Sequence, residues 1–536
     1  MNPMPVEEGK HPAVSPNKWI ITVTVMTGTL VASINASSVN VALPHMQGNL
    51  GASTEEIAWV STGYILSSVI IMPLVAWFSA RYGRKRFYMA SVLLFILSSI
   101  LCGLAWNLPS IVAFRIVQGI GGGTLIPVAQ AILRETFPPE EQGVAMGIYG
   151  FGVVLGPAFG PTLGGWVTDH YSWPWVFYIN IPVGILTLIL ATRFMHDPPY
   201  LVRERGKIDF SGLMLMIISL GALQLMLERG EVNDWFASRF ILALAAITLV
   251  GLGLFVMREL QAERPAVNLR LLRNVTFASG TVLGGVLGLG LFAGLFLMPM
   301  FLQKLLGYTA IDSGLAIMPR SVAMALTMPV AGRIYNRVGP KRLVGFGFFI
   351  TALSFWQLSR LSVAIGYWDI FFPQTLQGVG FGMVFVALST ASLSTISKPD
   401  MTAATGLYNF FRQITGSVGI AMAASQLTRG GNHYRALLVE GISDYRDKTH
   451  AWTQTLSGVL NQQGIEPSMV HQKTLGLLDK VVTQQATMLS FNHVHFLIAC
   501  IFFAVIPFVF LLRTRVISLE TQSGKAAKGE ELPWKT

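Results

Sequence analysis

The 536-residue chain is 52% hydrophobic and only 12% charged, about half the charged fraction of an average soluble protein. This composition excludes an ordinary soluble globular fold. The formal net charge of +11 does not indicate nucleic acid, because the cations flank long apolar runs, where membrane orientation and anionic lipid headgroups account for them. Cys102 and Cys500 both fall in apolar runs, so they indicate neither a disulfide framework nor a redox compartment.

At the N-terminus, 17 polar, proline-rich residues predict a tail rather than a cleaved signal. The apolar runs begin directly after it, and runs such as 19–43 and 496–512 contain no charged residue. Both are long enough to cross a bilayer as a helix. We predict roughly fourteen transmembrane helices, near 18–43, 56–79, 87–106, 109–133, 144–166, 174–194, 211–228, 237–257, 276–302, 313–335, 343–361, 366–396, 402–427 and 490–512.

An even number of spans places both termini on one side of the membrane. With residue 1 inside, the cytoplasmic segments carry about 25 of the 38 Lys and Arg residues, as the positive-inside rule requires. We therefore predict a multi-pass protein of the inner (cytoplasmic) membrane with both termini cytoplasmic. The polar, glutamine-rich segment at about 428–489 then lies on the outer, periplasmic side.

Two stretches of the chain nearly repeat each other: MPLVAWFSARYGRKR at 72–86 and MPVAGRIYNRVGPKR at 328–342. A second pair, VQGIGGG at 117–123 and LQGVGFG at 376–382, follows in the same order. The repeat predicts one duplicated six-helix unit, an arrangement in which transporters bind cargo between the halves. The predicted domains are a cytoplasmic tail (1–17), an N-terminal bundle (18–200), two inserted helices (201–260), a C-terminal bundle (261–512) that includes the outer segment, and a second cytoplasmic tail (513–536).

Several motifs occur together in one order. Residues 76–86 fit the loop pattern GxLaDrxGrkr, with Ala76 and Ala80 in place of Gly and Asp. An RxxQG pattern occurs at 115–119, a WRWxFxINxPxG-like stretch at 173–184 and an arginine pattern at 409–419. The chain thus resembles, over nearly its whole length, the major facilitator superfamily and its fourteen-span drug/proton antiporter family of EmrB/QacA type. The antiporter signature GxxxGPxxGG is met in full by Gly156, Gly160, Pro161, Gly164 and Gly165.

The resemblance implies an all-α membrane protein with the major facilitator fold: two pseudo-symmetric six-helix bundles plus two extra central helices. It implies proton-coupled efflux of amphipathic or hydrophobic drugs by alternating access, with no cofactor and with antibiotic resistance as a consequence. Since EmrB-type members resemble the inner component of tripartite pumps, a periplasmic adaptor protein and an outer-membrane channel are implied partners. The alternatives are a dedicated exporter of one metabolite, fatty acid or siderophore, and an uncoupled membrane receptor or scaffold with the same fold.

Arg115 is the most informative single residue, because a charge in mid-span is costly and usually serves a function with a partner. Its expected neighbours are Gln118, one helical turn along, and Asn35, which stands where the family commonly has an acidic residue. A neutral amide can orient cargo but cannot take up a proton near neutral pH. The expected substrate and proton pathway consists of Asn35, Arg115, Gln118, Asn180, Gln377, Asn409 and Arg412.

Proton exchange requires a titrating carboxylate, and the predicted spans contain few. The possible proton carriers lie near span ends, where each also fits a solvated helix-end charge; they are Glu135, Asp209, Glu228 and Asp312. The expected gating motifs are the signature in the fifth span, whose small residues allow close helix approach, and the two repeated loops. The loop residues are Arg81, Gly83, Arg84 and Lys85, with Arg337, Gly339 and Lys341 in the second copy. A loop used only as a positive-inside anchor, and a glycine stripe used only for packing, are the alternatives.

Other chemistries find no support in the sequence. It has no GxxxxGK[ST] phosphate cradle, and its glycine-rich GIGGG and GVGFG stretches fall inside predicted spans, which excludes a nucleotide site of the usual kind. His493 and His495 are two residues apart, a poor spacing for one metal on a helix. We therefore expect a transporter rather than an enzyme, with no metal, no cofactor and no nucleic-acid partner.

Overall fold

The structure is a computed structural model that describes residues 17–197, 209–262, 265–442, 446–462 and 466–512. All regular structure in these ranges is helical. The predicted tails lie outside the described residues, apart from residue 17, and so does most of the linker that precedes the two inserted helices. The first bundle contains α1 (Lys18–Leu50), α2 (Thr54–Ile57), α3 (Trp59–Ile71), α4 (Val75–Tyr82), α5 (Arg84–Gly103), α6 (Leu108–Thr136), α7 (Gln142–His170), α8 (Trp175–Tyr178) and α9 (Asn180–Phe194).

Two inserted helices follow the first bundle, and the second bundle follows them. The inserted helices are α10 (Phe210–Arg229) and α11 (Arg239–Gln261). The second bundle contains α12 (Val275–Met300), α13 (Ala310–Val338), α14 (Pro340–Leu358), α15 (Tyr367–Ser392), α16 (Met401–Glu440), α17 (Asp447–Gln462) and α18 (Pro467–Val505). Among the described residues, 12 helical segments are long and apolar enough to cross a membrane. The other two predicted spans, 343–361 and 402–427, fall largely within α14 and α16, and their crossing of the membrane stays a prediction.

Polar side chains define where several of these helices begin. The Asn107 side chain accepts a hydrogen bond from the Ser110 amide at 2.9 Å and so caps α6. The Asn274 side-chain oxygen accepts a hydrogen bond from the first-turn amide of Thr276 at 3.0 Å and caps α12. Such caps satisfy amides that have no partner within the helix, which matters most where water is scarce.

The two repeated loops have the same backbone conformation. Gly83 links α4 to α5 with φ 88° and ψ 144°, and Gly339 links α13 to α14 with φ 84° and ψ 148°. Only glycine enters this region of backbone space without strain. The duplication inferred from the sequence is thus confirmed by geometry. We call the end of the molecule that carries these two loops the basic face.

The two bundles contact each other closely near the basic face. A Cβ atom added at Gly143 of α7 would lie 2.5 Å from the Gly332 carbonyl oxygen of α13, and one at Gly147 would lie 2.7 Å from that of Met328. The Asn336 side chain also donates a hydrogen bond to the Glu140 carbonyl at 2.7 Å. The backbones of α7 and α13 are in direct contact here. The two bundles are therefore closed against each other at the basic face.

The inserted helix α10 touches both bundles, because it packs against α3 of the first and α16 of the second. The Gln224 amide donates to the Ser417 hydroxyl of α16 at 2.9 Å. At the end of α10, the Arg229 guanidinium lies 4.6 Å from the centre of the Trp59 ring. Helix α10 is therefore part of the bundle interface and not a peripheral addition.

The polar segment at about 428–489 is largely helical where the structure describes it. Helices α16 and α18 continue well past the predicted spans and pack side by side. The Ser490 hydroxyl donates to the Leu427 carbonyl at 2.8 Å, and Arg435 and Asp479 form an ion pair at 2.6 Å. These contacts hold the two extensions together beyond the bundle.

Candidate functional site

Arg115 lies inside the first bundle and is 1% exposed. Its Nη1 atom donates to the Asn35 side-chain oxygen at 2.8 Å and to that of Gln118 at 2.6 Å, and its Nε atom donates to the Val60 carbonyl at 3.0 Å. The guanidinium also lies 4.2 Å from the centre of the Tyr64 ring, a cation–π distance. The structure therefore brings three of the expected pathway residues together and joins α1, α3 and α6 through one charge.

Further contacts place Gln118 of this cluster and Asn180, the remaining expected pathway residue of the first bundle. Gln118 donates its amide hydrogen to the Ser99 hydroxyl at 2.7 Å, which fixes the orientation that lets its oxygen face Arg115. Asn180 is buried at the start of α9, where its amide is 3.5 Å from the Val176 carbonyl of the preceding turn. Asn180 thus makes a local contact and is not brought to the Arg115 cluster by any described hydrogen bond.

The second bundle contains a related arrangement that the sequence comparison missed. In the second copy of the repeat, Gln377 occupies the position that Gln118 has in the first copy, and Gln374 occupies the position of Arg115. The Arg320 guanidinium, which is 2% exposed, donates to the Gln377 side-chain oxygen at 3.4 Å. Arg320 comes from α13, a different helix, so only a three-dimensional view shows that both bundles hold a buried arginine beside a glutamine.

A third buried arginine lies where the bundles meet. Arg412 of α16 donates to the Asn409 side-chain oxygen at 2.6 Å, and its guanidinium lies 4.9 Å from the centre of the Phe385 ring. The Asn409 amide in turn donates to the Gln130 side-chain oxygen of α6 at 2.5 Å. Gln130 was not among the predicted site residues, since nothing in its local sequence distinguishes it from a packing position.

The loop at Gly83 is bound to its own bundle by two carboxylates and one backbone carbonyl from other parts of that bundle. The Lys85 backbone amide donates to an Asp197 carboxylate oxygen at 2.8 Å, and the Lys85 ammonium donates to the Thr192 carbonyl near the end of α9 at 2.7 Å. Arg84 forms a buried ion pair with Glu135 at 2.5 Å. Asp197, which directly follows the first bundle, is an acidic partner that the sequence did not identify.

The second loop repeats part of this arrangement. The Lys341 ammonium donates to the Phe510 carbonyl at the end of the last helical segment, at 3.1 Å, as Lys85 does at the end of α9. Arg337 is exposed, and Arg81 lies 5.7 Å from the centre of the Trp77 ring. The lysine contact is therefore common to both copies, whereas the arginine contacts differ.

The glycines of the antiporter signature pack within the first bundle. Cβ atoms added at Gly156, Gly160 and Gly164 would lie 2.3 Å from Ser33, 1.9 Å from Ser37 and 2.6 Å from Ser38 of α1. Gly165 has ordinary room, with Val41 at 3.6 Å, and Pro161 is exposed. The stripe brings α7 and α1 into close contact, whereas the α7 glycines that contact the other bundle lie outside the signature; they are Gly143, Gly147 and Gly150.

Residues 25–420 match the Major Facilitator Superfamily, which covers most of the two bundles described above. The chain belongs to the Major Facilitator Superfamily. It is therefore a multi-pass membrane transporter with the superfamily fold, and the duplicated halves are the two halves of that fold.

Several known proteins are similar to this superfamily member. It is 30% identical over 495 residues to the Multidrug export protein EmrB of Escherichia coli (strain K12), covering 92% of this chain and 95% of that protein. It is 33% identical over 497 residues to the Fatty acid resistance protein FarB of Neisseria gonorrhoeae, covering 92% and 96%. The crystal structure of the human organic anion transporter MFSD10 has the same fold, with a TM-score of 0.58, 13% identity and coverage of 93% and 100%.

In this superfamily member, three of the four candidate carboxylates have strong local partners. Glu135 is paired with Arg84, and both side chains are under one-tenth exposed. Asp312 accepts a hydrogen bond from the Thr309 hydroxyl at 2.7 Å on the exposed start of α13. Asp209 forms an ion pair with Arg258 of α11 at 3.0 Å. Hydrogen bonds from Arg258 and Ser211 lower the pKa of Asp209 from 3.8 to about 2.

Glu228 is placed differently from the other three. It is half-buried near the end of α10 and accepts a hydrogen bond from the Gln224 amide at 2.8 Å. The same amide donates to Ser417 of the second bundle. Glu228 therefore lies in a hydrogen-bonded chain that crosses from the inserted helix to the second bundle.

Proposed function

We propose that this transporter exports amphipathic or hydrophobic compounds across the inner membrane by alternating access, driven by an inward flow of protons. The observation that carries the proposal is the interface described above: the bundles are closed at the basic face, and the buried Arg412 lies where the two halves meet. In the proposed orientation the basic face is cytoplasmic, in agreement with the positive-inside rule. Opening of that face admits cargo, and its closure releases cargo outward.

Similarity to EmrB supports export of drugs, because the relative is named a multidrug export protein. The helical extensions at about 428–489 offer a surface for a periplasmic adaptor, which would connect the transporter to an outer-membrane channel. A second candidate function, export of fatty acids, is favoured by similarity to FarB, whose name records fatty acid resistance.

We propose Glu228 as the proton carrier. The carboxylates of Glu135 and Asp209 are neutralised by arginines, and Asp312 lies at an exposed helix start. The neighbouring cation Arg229 donates to the Glu55 carbonyl at 3.1 Å and faces Trp59. A proton on Glu228 would change its bond with Gln224, and thereby the contact of α10 with Ser417. Movement of the second bundle and the charge state of Glu228 are coupled in this way.

Glu228→Gln is expected to abolish drug-induced proton movement in inside-out vesicles while leaving drug binding to the purified protein in place. Glutamine keeps the shape of the side chain but cannot take up a proton. Three compounds of different charge are used: ethidium, dansyl-undecanoic acid and the methyl ester of that acid. A pH-sensitive dye reports proton movement on addition of each compound.

The matched control for this experiment is Glu440→Gln, which changes an exposed carboxylate at the end of α16. It is expected to move protons at the parent rate. Proton movement by Glu228→Gln at that same rate would remove Glu228 from the coupling step. If the parent chain moves none of the three compounds under a proton gradient, the proposed function is wrong.

Asp209→Asn is expected to leave the shape of the pH profile of export unchanged between about pH 5 and pH 8. Because the pKa of Asp209 is lowered from 3.8 to about 2, its carboxylate stays ionised throughout this window. The pair with Arg258 stabilises the folded protein fully above pH 3.8, the ordinary pKa of an aspartate in the unfolded chain. This stabilisation is lost progressively as the pH falls from there through about 2. A shift of the profile midpoint in Asp209→Asn vesicles would contradict this assignment.

A further inference from the structure

The cluster around Arg412 contains more hydrogen-bond donors than its own contacts use. Four buried atoms in it have no hydrogen-bond partner among the described residues, and all four belong to side chains that are at least nine-tenths buried: Arg412 Nη1, Gln130 Nε2, Tyr149 Oη and Tyr408 Oη. The Tyr149 hydroxyl lies near Arg412 and Asn409 but does not form a hydrogen bond of normal geometry with either. Buried polar atoms nearly always have partners in folded proteins, so four donors in one place are suited to an accepting group.

Three buried arginines have no carboxylate partner among the described residues. Arg412, Arg115 and Arg320 are all buried, and no ion pair among the described residues joins any of them to a carboxylate. An uncompensated buried charge is costly, and its cost falls when an opposite charge arrives. A cationic compound would raise that cost and an anion would lower it.

The walls of the cluster are aromatic. The Phe385 ring lies 6.0 Å from that of Tyr149 and 4.9 Å from the Arg412 guanidinium, and Tyr408 lies 6.0 Å from the same guanidinium. Room for the arginine stem is provided by Gly288, where an added Cβ would lie 3.0 Å from the Arg412 Cγ atom. A cation bounded by rings suits a ligand with an acidic end and an apolar body.

We propose that the cargo of this transporter is an amphipathic organic anion whose carboxylate is bound by Arg412, with Gln130, Tyr149 and Tyr408 as further donors. The proposal rests on the proposed export function and names its substrate class. A guanidinium can hold a carboxylate through two parallel hydrogen bonds. Arg412 then acts as the anchor of the acidic end, and the rings of Phe385 and Tyr149 contact the apolar part.

Cargo binding is coupled to opening of the interface. The Asn409–Gln130 hydrogen bond joins α16 of the second bundle to α6 of the first, so separation of the bundles at the basic face would free both side chains to bind the acid. A ligand that binds one conformation better shifts the population toward it. The anion therefore favours the conformation open at the basic face, which is the one that takes up cargo in the proposed cycle.

The test measures binding of dansyl-undecanoic acid and of its methyl ester to the purified full chain, at a pH well above the carboxyl pKa. We expect the parent chain to bind the acid at least about tenfold more tightly than the ester, as one charge-assisted contact predicts. Arg412→Gln should weaken acid binding by about 30-fold and leave ester binding unchanged. Arg360→Gln, an exposed arginine of the same bundle, is the matched control and should bind both probes as the parent does.

Tyr149→Phe keeps the ring and removes only the hydroxyl, so it tests the cluster even where Arg412→Gln does not fold. Tyr149→Phe should weaken binding of the acid by about fivefold and should leave binding of the ester unchanged. Equal binding of acid and ester by the parent, tighter binding of ethidium than of the acid, or parent-like acid binding by Arg412→Gln would each overturn the proposal. Proton-coupled export of ethidium without acid binding would overturn the anion class and leave efflux standing. Arg412-dependent acid binding without export would overturn the proposed efflux and leave the anion class standing.

Discussion

Arg115→Met is expected to lower proton-driven export of the best-transported test compound by about 100-fold. Methionine fills a similar volume but cannot donate to Asn35 and Gln118, and a hydrogen bond to a charged group contributes about 1.5–3 kcal/mol. The loss of two such bonds from the pathway accounts for a change of this size. Initial rates of export from inside-out vesicles measure it.

The control for this variant is Arg239→Met, which removes an exposed arginine at the start of α11. It should export at the parent rate. Thermal unfolding in detergent, followed by tryptophan fluorescence, separates loss of fold from loss of transport, since Arg115→Met should melt close to the parent. Equal export rates for Arg115→Met and the parent would show that the buried guanidinium has no part in transport.

Glu135→Ala is expected to destabilise the protein by about 3–5 kcal/mol, because it leaves the Arg84 guanidinium buried without its carboxylate partner. Arg84 is only 3% exposed, so water cannot replace the lost pair. A large fall in the midpoint of thermal unfolding should follow, measured on the purified protein in detergent.

A double variant gives this prediction its control. Arg84→Met/Glu135→Leu removes both charges and fills the space with apolar atoms, which commonly restores most of the stability that a broken buried pair loses. The double variant should therefore melt well above Glu135→Ala. If Glu135→Ala unfolds at the parent temperature, the pair does not stabilise the folded bundle.

The membrane class, the helix positions and the duplication were all predictable from the sequence, because each leaves a local signal. Long runs without charge predict spans by length alone, and the paired loops predict a repeat. Gly83 and Gly339 then show why the loops are alike, since both hold backbone angles that only glycine adopts easily. Family membership, inferred from several motifs in one order, is confirmed by the match over residues 25–420.

The site was predictable only where its residues are close along one helix or bear a costly charge. Gln118 is one turn from Arg115, and a charge in mid-span stands out in an apolar run. Arg320 and Gln130 reach their partners from other helices, so no spacing in the sequence links Arg320 to Gln377 or Gln130 to Asn409. The roles expected of Asn180 and of the signature glycines remain predictions, although close packing of the glycines against α1 is now described.

The length of α16 has a mechanical consequence. Its 40 residues make a rod about 60 Å long, roughly twice the thickness of the hydrocarbon core. A bundle rotation of about 15° about the membrane midplane, as in other rigid-body switches, would move a tip about 35 Å from that midplane through roughly 9 Å. In the proposed transport cycle, the paired extensions of α16 and α18 would therefore act as a lever that converts a small tilt of the bundle within the membrane into a larger displacement outside it.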